Sequence, residues 1–102
     1  MTATPFFSLE SDTLGTLRLR GAISFANAAR AMGQAPQLSR NGRALELDLS
    51  ALENADSATL AVLIAWSAQA RRQGSALRYL RAPQGLRNLA RLCDVDELLG
   101  LN

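Results

Sequence analysis

The sequence predicts an α/β fold, a mixed β-sheet with its helices packed mainly on one face, and three observations lead to it. Leu45, Leu47 and Leu49 alternate with Glu46 and Asp48, the period of two that a pleated strand imposes. Soon after them, Leu60, Leu63, Ile64 and Ser67 recur at the spacing of one helix face. The patterned segments also come in the order strand, strand, helix, strand, helix, strand, helix, which joins parallel strands through right-handed crossovers. Three or four short helices scarcely suffice to cover two sheet faces, so one face is expected to carry most of them.

Phe6 to Leu9 reads as a first strand and Leu14 to Leu19 as a second, with Ser11-Asp12-Thr13 turning between them. Leu17 and Leu19 alternate with Arg18 and Arg20, and Gly21 is read as the end of that strand. Ser24 then suits the N-cap of a helix whose inward stripe is Phe25, Ala28, Ala29 and Met32, with Gly33 and Pro36 weakening its end. Asn41-Gly42 is a turn signal leading to the strand that begins at Ala44. Asp56 can accept hydrogen bonds from the free N–H groups of a first helical turn, and Gly74 can take the left-handed conformation that ends this central helix after Gln73. Gly74-Ser75 turns into a strand over Ala76 to Leu80, in which Leu77 and Tyr79 share a face. Pro83 suits the first turn of a third helix with the stripe Leu86, Leu89, Ala90 and Cys93. Val95 to Leu101 fits either a short last helix or an edge strand.

At 102 residues the chain is long enough for one core and too short for two, so residues 1–102 are read as a single domain. Hydrophobic residues make up 48% and charged residues 20%, a balance that folds rather than stays disordered. Every basic residue is arginine, and the charges are segregated: residues 44–70 hold four acids and no base, residues 71–91 six arginines and no acid. Such segregation can steer an acidic partner, a membrane surface or nucleic acid, but a solvated basic edge is the preferred reading, and aromatic residues at 5% offer little to stack nucleobases, so nucleic acid is not expected as a partner.

Histidine is absent, which removes a His general base, the Ser-His-Asp and Cys-His pairs, and His metal ligands. No catalytic residue, metal or cofactor is assigned. Cys93 is the only cysteine, forms no internal disulfide, and sits on the apolar stripe as a small core residue. The opening MTATPFFSLE lacks the basic region and apolar core of a signal peptide, and no apolar run approaches the ~20 residues that cross a bilayer. A cytoplasmic protein without membrane insertion is expected.

The central helix is apolar on both sides. Opposite its core stripe lie Ala58, Ala61, Val62, Ala65 and Trp66, where a solvated helix would show charges. Such a helix is either buried all round or covered by a partner. So short a chain has few elements left to cover that face, so the partner reading is preferred. Small residues let another helix approach closely, and a Trp beside them is the type of anchor that dominates binding energy. With Ser57 and Thr59, these residues form the expected docking surface.

Asp48-Leu49-Ser50, followed by Ala55-Asp56-Ser57, Leu60 and the small-apolar helix, resembles the core signature of the STAS domain family (sulfate transporter and anti-sigma factor antagonist). Gly74, the strand to Leu80, Pro83 and the helix with Leu86, Leu89 and Leu92 extend the likeness over essentially the whole chain. Anti-sigma factor antagonists typically carry Asp-Ser-Ser-Gly-Leu, with the second serine phosphorylated by a partner kinase. Ala58 and Thr59 stand here at the second serine and the glycine. The single hydroxyl directly after the aspartate, Ser57, is similar to the MlaB branch, small STAS subunits of phospholipid ABC transporters in Gram-negative bacteria. That resemblance implies a non-catalytic cytoplasmic subunit, peripheral to the inner membrane. It would dock on the transporter's ATPase subunit, in a complex whose permease and lipid-binding subunits handle the lipid. The antagonist branch implies instead a regulator with Ser57 as phosphate acceptor.

Overall fold

Alternating side chains sort to the two faces of one five-stranded sheet. In the computed structural model, residues 6–11, 16–34 and 45–101 are described. The elements run β1 (Phe7–Ser11), β2 (Leu17–Ala22), α1 (Ala28–Met32), β3 (Leu45–Asp48), β4 (Leu52–Asn54), α2 (Ser57–Arg72), β5 (Leu77–Leu80), α3 (Gln84–Leu92) and α4 (Asp96–Leu99). The sheet order is β1-β2-β3-β5, with β4 also beside β2; β1 is antiparallel to β2 and the other pairings are parallel, giving the mixed α/β sheet.

Leu19, Leu47, Leu49 and Tyr79 are buried. On the opposite side, the cross-strand partners Glu10 and Arg18, Arg18 and Asp48, and Glu46 and Arg78 put charge against charge. An apolar face under helices and a charged face toward water is the division that period-two alternation produces. α2 is the hub of the helical layer, with α1, α3 and α4 all packed against it. Tyr79 ties β5 to this hub: its hydroxyl donates to the Leu63 carbonyl at 2.6 Å and accepts from Ser67 Oγ at 3.1 Å. No described helix is long and apolar enough to cross a membrane.

Several local expectations change. β1 and β2 lie further along the chain than Phe6–Leu9 and Leu14–Leu19, and Gly21 sits inside β2 rather than ending it. Gly21 has φ +98°, and the register shifts between it and Ala22 as β2 passes from β3 to β4. Strand β4 was not expected: its three residues show no alternation of their own and pair only because β2 outruns β3. Residues 12–15, Pro36 and Asn41-Gly42 fall outside the described residues.

Ser24 does not cap α1. A turn over Phe25–Asn27 comes first, held by Asn27, whose Oδ1 accepts from the Ser24 amide at 2.8 Å and whose Nδ2 donates to the Ala22 carbonyl at 2.9 Å. The helix is therefore turned so that Ala31 is buried while Phe25 is 80% exposed and Met32 38% exposed, not inward. Cys93 is exposed as well: α3 ends at Leu92, and the chain leaves helical geometry before the stripe reaches it. Residues 96–99 settle as a helix, not an edge strand.

Candidate functional site

Both ends of α2 are set by the residues the sequence marks. Asp56 Oδ1 accepts from the Thr59 amide at 3.0 Å while Thr59 Oγ1 accepts from the Asp56 amide at 3.2 Å, a reciprocal capping box. At the other end Gly74 has φ +72°, and the Ser75 amide reaches back to the Ala70 carbonyl at 2.9 Å. Thr59 Oγ1 also donates to the Ile23 carbonyl at 2.6 Å, which fastens the start of α2 to the segment after β2. The Thr59 hydroxyl is therefore consumed inside the fold, and the residue is fully buried. Ser57, two positions earlier, is exposed, and its hydroxyl makes no hydrogen bond among the described residues.

The seven residues expected to meet a partner divide. Ser57 and Ala61 are exposed and Ala65 is half-buried; Ala58, Thr59, Val62 and Trp66 are buried in the chain itself. For these four the expected outward face is corrected, because α1 and the segment before it cover them from within. The indole Nε1 of Trp66 donates to the Ala31 carbonyl at 2.8 Å, so the side chain read as an exposed anchor is a core residue satisfied by α1. Helical spacing then places the remaining surface one step round: Ser57, Ala61, Ala65 and Ala68 recur at intervals of four and three.

A shallow groove of about 80 Å³ continues this stripe, lined by Ile64, Ser67, Ala68, Arg71, Leu98 and Leu99. Leu98 is 50% exposed. Ile64, expected in the core, is half-buried at the groove, and Ala68 and Leu98 were not singled out in the sequence. Ala68 had no distinguishing neighbour in the pattern, and Leu98 belongs to a segment whose secondary structure the pattern left open.

Asp48 forms a separate polar cluster at the end of β3. It is 4% exposed; its Oδ1 accepts from the Ser50 amide at 2.8 Å and its Oδ2 from Arg81 Nη1 at 3.0 Å, with Arg18 Nη2 at 4.0 Å. Burial acts to raise the pKa of this carboxyl, but the Ser50 hydrogen bonds and the Arg81 and Arg18 charges together hold it below the ordinary 3.8. Burial pushes the Tyr79 hydroxyl up. Among the described residues no group of three or more carboxylate, thiol or imidazole side chains gathers to hold a metal.

The family model described as Mlab, STAS domain, matches residues 9–100. The chain belongs to the STAS domain family, in its MlaB-like group. No curated protein matches it. The capping box, the hub helix and the half-solvated sheet are thus this STAS domain's own means of presenting the start of α2. Its surface carries a serine hydroxyl with no hydrogen bond among the described residues, a strip of alanines and a shallow apolar groove.

Proposed function

We propose that this STAS domain is a non-catalytic, cytoplasmic binding subunit of a phospholipid-transporting ABC complex. It docks on the ATPase subunit and supports its assembly, while the permease and lipid-binding subunits carry the lipid, and it lies peripheral to the inner membrane through that complex. One observation carries the reading. After α1, α3 and α4 have packed around α2, Ser57 and Ala61 remain exposed and Ala65 half-buried, and the small side chains of this strip let a partner helix approach closely. Membership of the MlaB-like group supports the choice of partner.

The test is co-purification of the chain with the ATPase subunit of such a complex. Ser57→Arg and Ala61→Glu place bulk and charge on exposed positions, so both variants keep the wild-type circular dichroism spectrum and both lose the ATPase. Wild-type association of both variants overturns the proposal.

The exposed Ser57 hydroxyl favours a second reading, a regulator of the anti-sigma factor antagonist type switched by phosphorylation at Ser57. A phosphate there would sit at the N-terminus of α2, where the dipole favours negative charge, and would obstruct a close-fitting partner. Incubation with a cognate serine kinase followed by mass spectrometry of the peptide spanning residues 44–71 decides it: a phosphopeptide supports this reading and its absence removes it.

A further inference from the structure

Of the nine described arginines, eight are exposed and one, Arg87 on α3, is half-buried. Among the described residues its buried Nε has no hydrogen-bond partner, and the side chain's one polar contact runs from Nη2 to the neutral Gln84 Oε1. No carboxylate among the described residues lies within ion-pair distance of it. A cation taken partly out of water without an anion is costly, so this arrangement asks for a counter-charge from outside the fold.

The place for one is adjacent. Arg87 lines an open cleft of about 470 Å³ together with Tyr79, Arg81, Ala82, Gly100 and Leu101. The cleft lies beyond the carboxyl end of the parallel strand β5, where open α/β sheets bind ligands. Arg81 is held at φ +54°, a backbone conformation that Gly or Asn takes at lower cost. Among the described residues no acid lines the cleft, whereas the neighbouring one that shares Arg81 contains Glu46 and Asp48. Arg81 Nη1 is hydrogen-bonded to Asp48 at 3.0 Å, with Arg18 more distant at 4.0 Å, so Arg87 is the unpaired cation of this cleft and stands beside an Arg81 fork that Asp48 holds through Nη1.

We propose that this cleft binds a phosphate monoester, with Arg81 and Arg87 as its guanidinium ligands. An unpaired guanidinium beside a second fork that Asp48 holds through Nη1 presents several N–H donors to a tetrahedral anion, and planar guanidinium forks suit phosphate oxygens. The phosphate reaches the cleft either on a soluble molecule or on a lipid headgroup.

The test titrates the isotope-labelled full chain with inorganic phosphate at constant ionic strength, followed by nitrogen-proton NMR. Phosphate shifts the Arg87 Nε–H and the Ala82 and Gly100 amides saturably. Arg87→Gln and Arg81→Gln each weaken binding about tenfold, the worth of a charge-assisted hydrogen bond, and Arg91→Gln leaves it unchanged. Should Arg87→Gln fail to fold, Arg81→Gln, whose side chain is 67% exposed, carries the comparison. A second arm uses phosphatidylcholine vesicles with and without phosphatidic acid. Binding of free phosphate supports a soluble ligand; binding only to the phosphatidic acid vesicles, lost in Arg81→Gln, supports a headgroup. Shifts that grow linearly and equally at Arg91, absence of binding in both arms, or wild-type binding by the variants overturns the site.

Discussion

Trp66 and Ala31, 35 positions apart, are joined by a 2.8 Å hydrogen bond from the indole N–H to the backbone carbonyl. Both residues are buried, so this contact helps to hold α1 on α2 and satisfies the indole of an aromatic that lies in the core. Trp66→Phe keeps most of the ring volume and removes one of the two hydrogen bonds that the Ala31 carbonyl accepts, the other coming from the Gln34 amide at 3.0 Å, an expected loss of roughly 0.5–1.5 kcal/mol. Trp66→Ala adds a cavity and loses about 3–5 kcal/mol. Urea unfolding followed by circular dichroism checks both; a Phe variant as stable as wild type would show that the bond contributes nothing.

Neighbouring positions on α2 are expected to give opposite outcomes. Val62 is fully buried, so Val62→Glu puts an unpaired carboxylate in the core at a cost of several kcal/mol, comparable with the whole stability of a small domain. Ala61 is exposed, and Ala61→Glu is expected to stay within about 0.5 kcal/mol of wild type. Soluble yield and thermal melting distinguish them. A folded Val62→Glu domain would mean that α1 leaves α2 easily and that the apolar face is accessible after all.

What was legible in the sequence is what short-range chemistry decides. The alternation of Leu45, Leu47 and Leu49, the cap at Asp56 and the positive-φ glycine at 74 each depend on a few adjacent residues, and each appears where the pattern puts it. The cover on Val62 and Trp66 was not legible. An all-apolar helix states that both sides are covered without saying by what, and the acceptor for Trp66 is a backbone carbonyl that every residue possesses. α1 was misjudged because a spacing of four fits both Phe25 with Ala29 and Asn27 with Ala31. The hydrogen bonds of Asn27, not hydrophobicity, choose the second pair. Of the candidate site, Ser57 at the head of α2 was readable from its place beside the capping aspartate, whereas the groove beside Leu98 arises only when α4 folds back onto α2.

Asp48 makes stability depend on pH in a definite direction. Its carboxyl has a lower pKa in the fold than the ordinary 3.8, so the unfolded chain binds the proton more readily. The stabilisation is fully present above pH 3.8 and is lost as pH falls through the lower folded value. Asp48→Asn removes the ion pairs with Arg81 and Arg18, costs roughly 2 kcal/mol at neutral pH, and leaves a flatter acid limb. Denaturant midpoints measured from neutral pH downward test it, and parallel curves for the two proteins would exclude Asp48 as a source of the acid sensitivity.

Two glycines with positive φ separate conformational strain from steric conflict. Gly74, at φ +72°, has nothing within 4 Å of where a Cβ would stand, so Gly74→Ala costs only the left-handed backbone, about 1 kcal/mol. Gly21, at φ +98°, lies where β2 shifts register, and its Cβ would run into the Phe6 carbonyl oxygen. That oxygen already accepts the Ala22 amide at 2.9 Å, so it cannot withdraw without loosening the pairing of the first strand. Gly21→Ala therefore combines strain, a backbone clash and a weakened ladder bond, for an expected loss of roughly 2–4 kcal/mol. Hydrogen exchange locates the damage: amides of β1 and the end of β2 lose protection in Gly21→Ala and keep it in Gly74→Ala. Equal losses in the two variants would show that left-handed strain alone sets the cost and that the close approach of Phe6 is dispensable.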